Sequence, residues 1–414
     1  MKKQYEKGIT MIALIITIVV LLLLTTVTIG MITGENGIIK NTGSAKEETE
    51  IASEKEIIET SVTQAMGKDK NGNITQENLQ DYLNKNAGNN KTEVSKESNE
   101  YMVKFTETNR IYYVSGEGEV ESKYIDKTPG KLDGKGTQDD PFKIETIEDL
   151  VAFSIMSNGG NANLELASTN FENNYIVLTR DLDFNSSRSY NDINDKRYSE
   201  YLGAGEETIK NALTQNQYYG YLPASKNEYV QFKGTFDGQE HKINGLYIKA
   251  RDNTMGSSLI NFNQGIIKNL DIDVNIDGKI RNAGITVYNY GSIENCNSYG
   301  KITSISEYVA GIADWNYGIV KECANRTYIQ TKSNNIGGIV AVNKNEVSKC
   351  ANLSEILWYN DGAAGGFNMG GIVGENMENA KIEECYNTGK ISGIWQRCAG
   401  ITGTDDGRNC KKLL

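Results

Sequence analysis

Ala283 to Thr303 reads AGITVYNYGSIENCNSYGKIT, and its frame returns down the rest of the chain. Gly284-Ile285, Gly311-Ile312, Gly338-Ile339 and Gly371-Ile372 recur at intervals of 27, 27 and 33 residues. Five residues after each Gly stands Asn289, Asn316, Asn343 or Asn376. Cys296, Cys323, Cys350 and Cys385 follow at intervals of 27, 27 and 35, each three residues after Ile293, Val320, Val347 or Ile382. Four columns kept in step over successive units mark a structural repeat. A weaker copy 26 residues earlier places Asn263, Ile267 and Leu270 in the same columns. A column that takes Leu or Cys is apolar and inward-facing, so the cysteines read as small buried hydrophobes and not as catalytic or metal-binding thiols.

A period near 27 residues with short β segments has no room for two helices. It fits one rung of a parallel β-helix, three short strands and three turns, with rungs stacked ~4.8 Å apart. Tyr229 to Leu414 then holds about seven rungs, a rod ~33 Å long. The Asn column should form an amide ladder along one corner, each side chain donating to one neighbour and accepting from the other.

Composition agrees. Forty-two Gly against three Pro, with 23 Tyr, suits many tight turns between short strands. The 43 Lys plus Arg against 54 Asp plus Glu leave a net charge of −11, which speaks against nucleic acid as a partner. His241 is the single His, so a multi-His zinc site is impossible and a Ser-His-Asp triad would need that residue. The six Cys, which include Cys398 and Cys410, show no C-x-x-C spacing. No metal and no cofactor is expected. Counting from Gly400, Cys410 reads as the last member of the Cys column in a unit shortened by two residues.

The amino terminus has a different character. From Ile9 to Gly34 there is no charged residue, a run long enough to cross a ~30 Å hydrocarbon core as a helix. Lys2, Lys3 and Lys7 precede it and Glu35 is the first charge after it, which places residues 1–8 in the cytoplasm and everything beyond Gly34 outside. Gly34-Glu35-Asn36-Gly37 reads as a helix breaker, and Ser44 with Glu47 as a capping box that restarts the helix. Ile51, Ile58, Val62 and Ala65 form an apolar stripe. Tyr101, Val103 and Phe105 alternate in a strand, Ile111–Val114 form a second, and residues 35–121 read as a small helix-plus-sheet head. Asp69 to Thr75 reads as a turn ahead of a helix near Gln76 and not as a calcium loop, because the Gly and Glu that loop requires are misplaced.

The leader MKKQYEKG, the unbroken apolar helix and the following GENGIIKNTGSAKEETEIASEKEIIETSV resemble the type IV pilin-like proteins of Gram-positive anaerobes. That resemblance implies cleavage by a prepilin peptidase between Gly8 and Ile9, and association with other pilin-like subunits. The family's usual Glu at the fifth mature position is here Ala13, which bears on assembly and not on anchoring.

Residues 122–136 read as a polar linker, and 137–228 as the cap and first coils of the solenoid. Thr146 with Asp149 makes a capping box for a helix over IEDLVAFSIM, whose Ile147, Leu150 and Phe153 would cover the open hydrophobic end. Residues 229–414 hold the repeats. GGIVGENMENAKIEECYNTGKISG (Gly370 to Gly393) and the stretch at Ala283, with the lead-in GTQDDPFKIETIEDL, YIVLTRDLDFN and FKGTFDGQEHKINGLYI, resemble the GLUG motif of bacterial surface and adhesin proteins. The resemblance implies an extracellular right-handed parallel β-helix and no defined reaction.

The expected molecule is therefore mainly β, a solenoid behind a transmembrane helix and a small pilin-like α+β head. Its expected function is non-enzymatic, as an adhesin or assembly component with a glycan or matrix-protein ligand. The alternative is a carbohydrate-active enzyme, for which Asp181 and Asp183 on one strand face and Asp237 near His241 are the candidates. Tyr288, Tyr290, Trp315 and Tyr317 are placed either to stack on sugar rings or to fill turns or the core.

Overall fold

The computed structural model describes residues 38–69, 72–97, 99–121, 126–186, 218–225, 230–250, 256–305, 307–359, 368–393, 397–405 and 410–411. The expected leader 1–8, the cleavage position Gly8–Ile9 and the apolar span 9–34 lie outside these residues. Among the described residues no helix is long and apolar enough to cross a membrane. The chain divides into two compact units between Ser122 and Lys123.

In the first unit, helix α1 (Ile38–Lys68) runs straight through Ser44. The restart expected there does not occur: Gly43 costs a helix interior about 1 kcal/mol, and the good helix formers on its C-terminal side outweigh it. Ile58, Val62 and Ala65 are buried as the stripe requires, and Ile51 is half-buried. At Asp69 a carboxyl oxygen accepts the Asn73 N–H at 3.2 Å, which makes the turn expected in place of a calcium loop. Helix α2 (Gln76–Asn86) follows, held by a reciprocal Thr75–Asn78 capping box and burying Leu79 and Leu83.

Three antiparallel strands complete the unit: β1 (Thr92–Glu97), β2 (Glu100–Phe105) and β3 (Arg110–Ser115). Val103 faces Tyr112 and Tyr101 faces Val114. The seam between α1 and the sheet holds one buried ion cluster. Arg110 reaches Glu54 at 3.3 Å and Glu50 at 3.2 Å, and Glu54 also accepts the Tyr112 hydroxyl at 2.5 Å and that of Thr108 at 2.7 Å. Burial, helped by the hydrogen bond to Glu54, pushes the Tyr112 phenol far above its ordinary range.

The second unit is a parallel β-solenoid. Strands 260–263, 286–289, 313–316, 340–343, 373–376 and 402–405 stack in register as a six-stranded sheet, here the asparagine sheet. Strands 282–283, 308–310, 335–337, 368–370 and 398–399 form a five-stranded short sheet. The long sheet takes the rest, and a more irregular turn, Thr235–Ala250, precedes the six. Early strands Ile266–Gly278 and Ser292–Ser304 run unbroken for 13 residues, where the next turn uses three pieces, Ile319–Lys321, Ala324–Asn325 and Tyr328–Thr331.

One residue before each Leu or Cys of the core column the backbone turns left-handed, at Asn269 (φ 52°), Asn295 (50°), Glu322 (56°), Lys349 (53°) and Glu384 (53°). Such a conformation disfavours side-chain-bearing residues. It persists because the turns above and below fix it.

Helix α3 (Ile147–Ser157) carries the expected Thr146–Asp149 capping box and buries Leu150 and Phe153 completely. Phe153 meets Phe171 at 4.9 Å, Phe236 at 5.5 Å and Phe232 at 5.7 Å, so the helix closes the end of the solenoid core. Within 122–136, Leu132 belongs to the same core and Asp133 pairs with Lys143 at 2.7 Å.

Candidate functional site

Each strand of the asparagine sheet from 260 to 376 ends on a ladder residue, and Asn263, Asn289, Asn316, Asn343 and Asn376 are all 0 % exposed. Asn263 donates to Asn289 at 2.8 Å, Asn289 to Asn316 at 2.8 Å, Asn316 to Asn343 at 2.9 Å and Asn343 to Asn376 at 2.8 Å. The sequence alone suggested a ladder that satisfies itself, and this one does not. Its amides also donate to main-chain carbonyls of the next turn: Asn289 to Ile319 at 3.0 Å, Asn316 to Glu346 at 2.9 Å and Asn343 to Lys381 at 3.1 Å. Their oxygens accept main-chain N–H groups two residues on, Gly265 at 3.0 Å and Gly318 at 3.2 Å. The position must be Gly in these turns, because a Cβ on Gly291 or Gly318 would lie 2.0 Å from the carbonyl oxygen of the Gly below.

Leu270, Cys296, Cys323, Cys350 and Cys385 line the interior at 2 % exposure or less. Each sulfur lies 3.2 Å from the carbonyl two residues earlier, on Glu294, Lys321, Ser348 or Glu383, so the thiol donates weakly to main chain at the left-handed bend. Burial holds the Cys296 and Cys350 thiols up, in the neutral form. Cys410 is not a member of this column. Its backbone pairs with Ile382, three positions off, because the last loop differs in length and counting from Gly400 misplaces the register. Cys398 pairs with Met369 and is exposed.

A second buried ladder was not anticipated. Asn325 donates to Asn352 at 2.7 Å and Asn352 to Asn387 at 2.7 Å, with Ser298 donating to Asn325 at 3.0 Å. Its signal was present: each of these Asn stands two residues after a column Cys.

On the outer face of the asparagine sheet runs a row of aromatic rings. Phe262 stacks on Tyr288 at 4.7 Å and 18°, and Tyr290 on Tyr317 at 4.7 Å and 14°. Trp315 lies 5.9 Å from Tyr317 and nearly parallel. Lys344 sits 5.0 Å above Trp315 and 4.9 Å above Tyr317, while Arg281 lies 5.4 Å from Tyr288 and 5.9 Å from Tyr308. The ring faces are thus largely covered by rings and cations of adjacent turns. Edges and hydroxyls are what this face presents, with Tyr290 the most open at 42 %. This mutual cover leaves little free ring face for a sugar to stack on.

The candidate carboxylates hold turns. Asp181 accepts the Lys242 N–H at 2.9 Å and meets His241 Nδ1 at 3.2 Å, 60 residues away in sequence. Asp183 accepts the Asn185 N–H at 3.1 Å and its side-chain amide at 2.9 Å. Asp237 accepts from Gln239 N–H and Asn269, each at 3.0 Å, and pairs with Lys268 at 3.2 Å. Among the described residues no cluster of three or more His, Cys, Asp or Glu side chains is arranged to hold a metal ion.

Residues 365–392 match the GLUG motif. The matched GLUG segment holds one turn of the solenoid, with its ladder residue Asn376, its core Cys385 and the second-ladder Asn387. It agrees with the resemblance seen at Gly370 to Gly393. No curated protein matches the chain, and no solved structure does.

Proposed function

We propose that the chain is a non-enzymatic, membrane-anchored surface protein that presents its solenoid outside the cell, for adhesion or for assembly with pilin-like subunits. The observation that carries this reading is the engagement of Asp181, Asp183 and Asp237, each of which accepts main-chain N–H groups at a turn. A carboxylate that accepts a main-chain N–H at a turn is held there as a backbone fastening, which supports a structural role for these three side chains. Anchoring rests on the uncharged run Ile9–Gly34 behind a basic leader. Processing between Gly8 and Ile9 rests on the pilin-like resemblance. The rod's ligand is a glycan or a matrix protein met by side-chain edges and loops.

One observation favours the carbohydrate-active alternative, the Asp181–His241 contact. Replacing Asp181, Asp183 and Asp237 together by Asn separates the two. Retained surface binding with no polysaccharide cleavage by either protein supports the rod; a cleavage activity of the parent that the folded triple variant lacks supports the enzyme. Amino-terminal sequencing of membrane-extracted protein tests the anchor, with Ile9 as the expected first residue.

A further inference from the structure

Asp314 lies on the strand Ala313–Asn316, directly before Trp315. It is 0 % exposed, and neither carboxyl oxygen has a hydrogen-bond partner. The same position holds Val287 in the turn below and Ala341 and Gly374 in the turns above. Val287 and Ala341 are themselves fully buried. A Cβ on Gly374 would meet the Ile336 backbone at 2.8 Å, so this column presses against the short sheet. A carboxyl group therefore stands between the apolar side chains of Val287 and Ala341 in the adjacent turns, and the polar residue of the same column, Asn261, lies two turns below, engaged with Ser258 and the Gly256 carbonyl.

A buried carboxylate with no donor loses its hydration without replacement, and the group neutralises instead. Burial is the main cause that pushes the Asp314 carboxyl well above its usual range; Arg281 opposes the rise and Glu307 adds to it. Those two side chains pair with each other at 3.3 Å, and Arg281 also lies against the rings of Tyr288 and Tyr308. Tyr308 and, beyond it, Glu375 are the other titratable groups on this side. Lys344 lies over the Trp315 ring, 5.0 Å from its centroid.

We propose that Asp314 is a proton-operated latch: the turn Tyr308–Thr331 is closed with Asp314 as the neutral acid, and loss of that proton loosens the strand Ala313–Asn316 together with the aromatic row it carries. The folded turn holds the proton more tightly than the unfolded chain, whose Asp ionises near about 3.9. Stability is therefore fully present below pH about 4 and drains away as pH rises toward the folded value. The rod is firmest in acid, and the order of its aromatic face falls as the pH rises.

Hydrogen exchange of the full-length protein between pH 4 and pH 8 tests the latch, comparing amides 313–316 with amides 340–343 of the same molecule to cancel the intrinsic pH dependence. Protection of 313–316 should fall relative to 340–343, by up to about tenfold per pH unit once opening involves ionisation. In Asp314→Asn, and in Asp314→Ala, which copies the side chain of Ala341, the ratio should stay flat. A flat ratio in the parent, or the same slope in parent and both variants, overturns the proposal. Should Asp314→Asn fold poorly because its amide is also unpartnered, the Ala variant and the parent's own slope still decide.

Discussion

The head unit and the repeating turns bury polar side chains by opposite means. In the head, Arg110, Glu50, Glu54, Tyr112 and Thr108 form one cluster that occurs once. In the solenoid a single amide is copied from turn to turn, and each copy satisfies the next. The first arrangement has no redundancy, so removing Arg110 leaves the buried Glu54 carboxylate with the hydroxyls of Tyr112 and Thr108 in place of its cation. The second is graded: a middle rung has neighbours on both sides, whereas an end rung has one. Repetition thus converts a costly buried polar group into a corner that every added turn reinforces.

The largest effect should come from the unrepeated cluster. Arg110→Ala leaves Glu54 buried without its cation and should destabilise the head by about 3–5 kcal/mol, read from denaturation of the full chain with hydrogen exchange of α1 to localise the loss. Tyr112→Phe removes one hydroxyl donor and should cost less, about 1–3 kcal/mol. If Arg110→Ala were the milder of the two, the cluster would not be the head's main fastening.

Asn316→Ala comes next. It strips Asn289 of an acceptor and Asn343 of a donor, about 1–3 kcal/mol. Asn263→Ala should cost less, because Phe232 and not Asn stands across from Asn263 in the turn before. Equal and negligible shifts in the denaturation midpoint would remove the distinction between middle and end.

The smallest effect is expected in the core column. Cys323→Ala deletes one buried sulfur and should cost on the order of 1 kcal/mol, with its weak contact to the Lys321 carbonyl replaced by nothing better. Under native conditions an alkylating reagent should label Cys398 and spare Cys296, Cys323, Cys350 and Cys385. Rapid labelling of all four would mean that the column opens, and would erase the contrast between a repeat held in step and a cluster held once.

Much of the solenoid was legible because stacking forces one position in every turn to meet the same position in the next, so Gly284, Asn289, Ile293 and Cys296 repeat as letters. The second ladder at Asn325, Asn352 and Asn387 obeys the same rule and was readable in the Cys-x-Asn spacing. The left-handed bends at Asn295, Glu322 and Lys349 were not, because stacking imposes that conformation on whichever residue stands there. Ring direction was also hidden: sequence left Tyr290 and Tyr317 either to stack on sugars or to fill turns or the core, and only the register lays one face on the other. Ser44 misled because a capping box is a local signal and the helix through it answers to both flanks. Cys410 misled because spacing from Gly fails once a loop changes length. Asp314 carries no pattern at all, and its isolation appears only when the seam around it is built.

The solenoid is fastened along its stacked asparagine corner, and a double-mutant cycle there reads the stacking itself. Asn289 and Asn316 touch, so Asn289→Ala and Asn316→Ala should be non-additive, with a coupling of about 0.5–3 kcal/mol, while Asn263→Ala and Asn343→Ala, separated by two rungs, should add within about 0.5 kcal/mol. Additivity in the adjacent pair, or equal coupling in both, would contradict a ladder of stacked rungs.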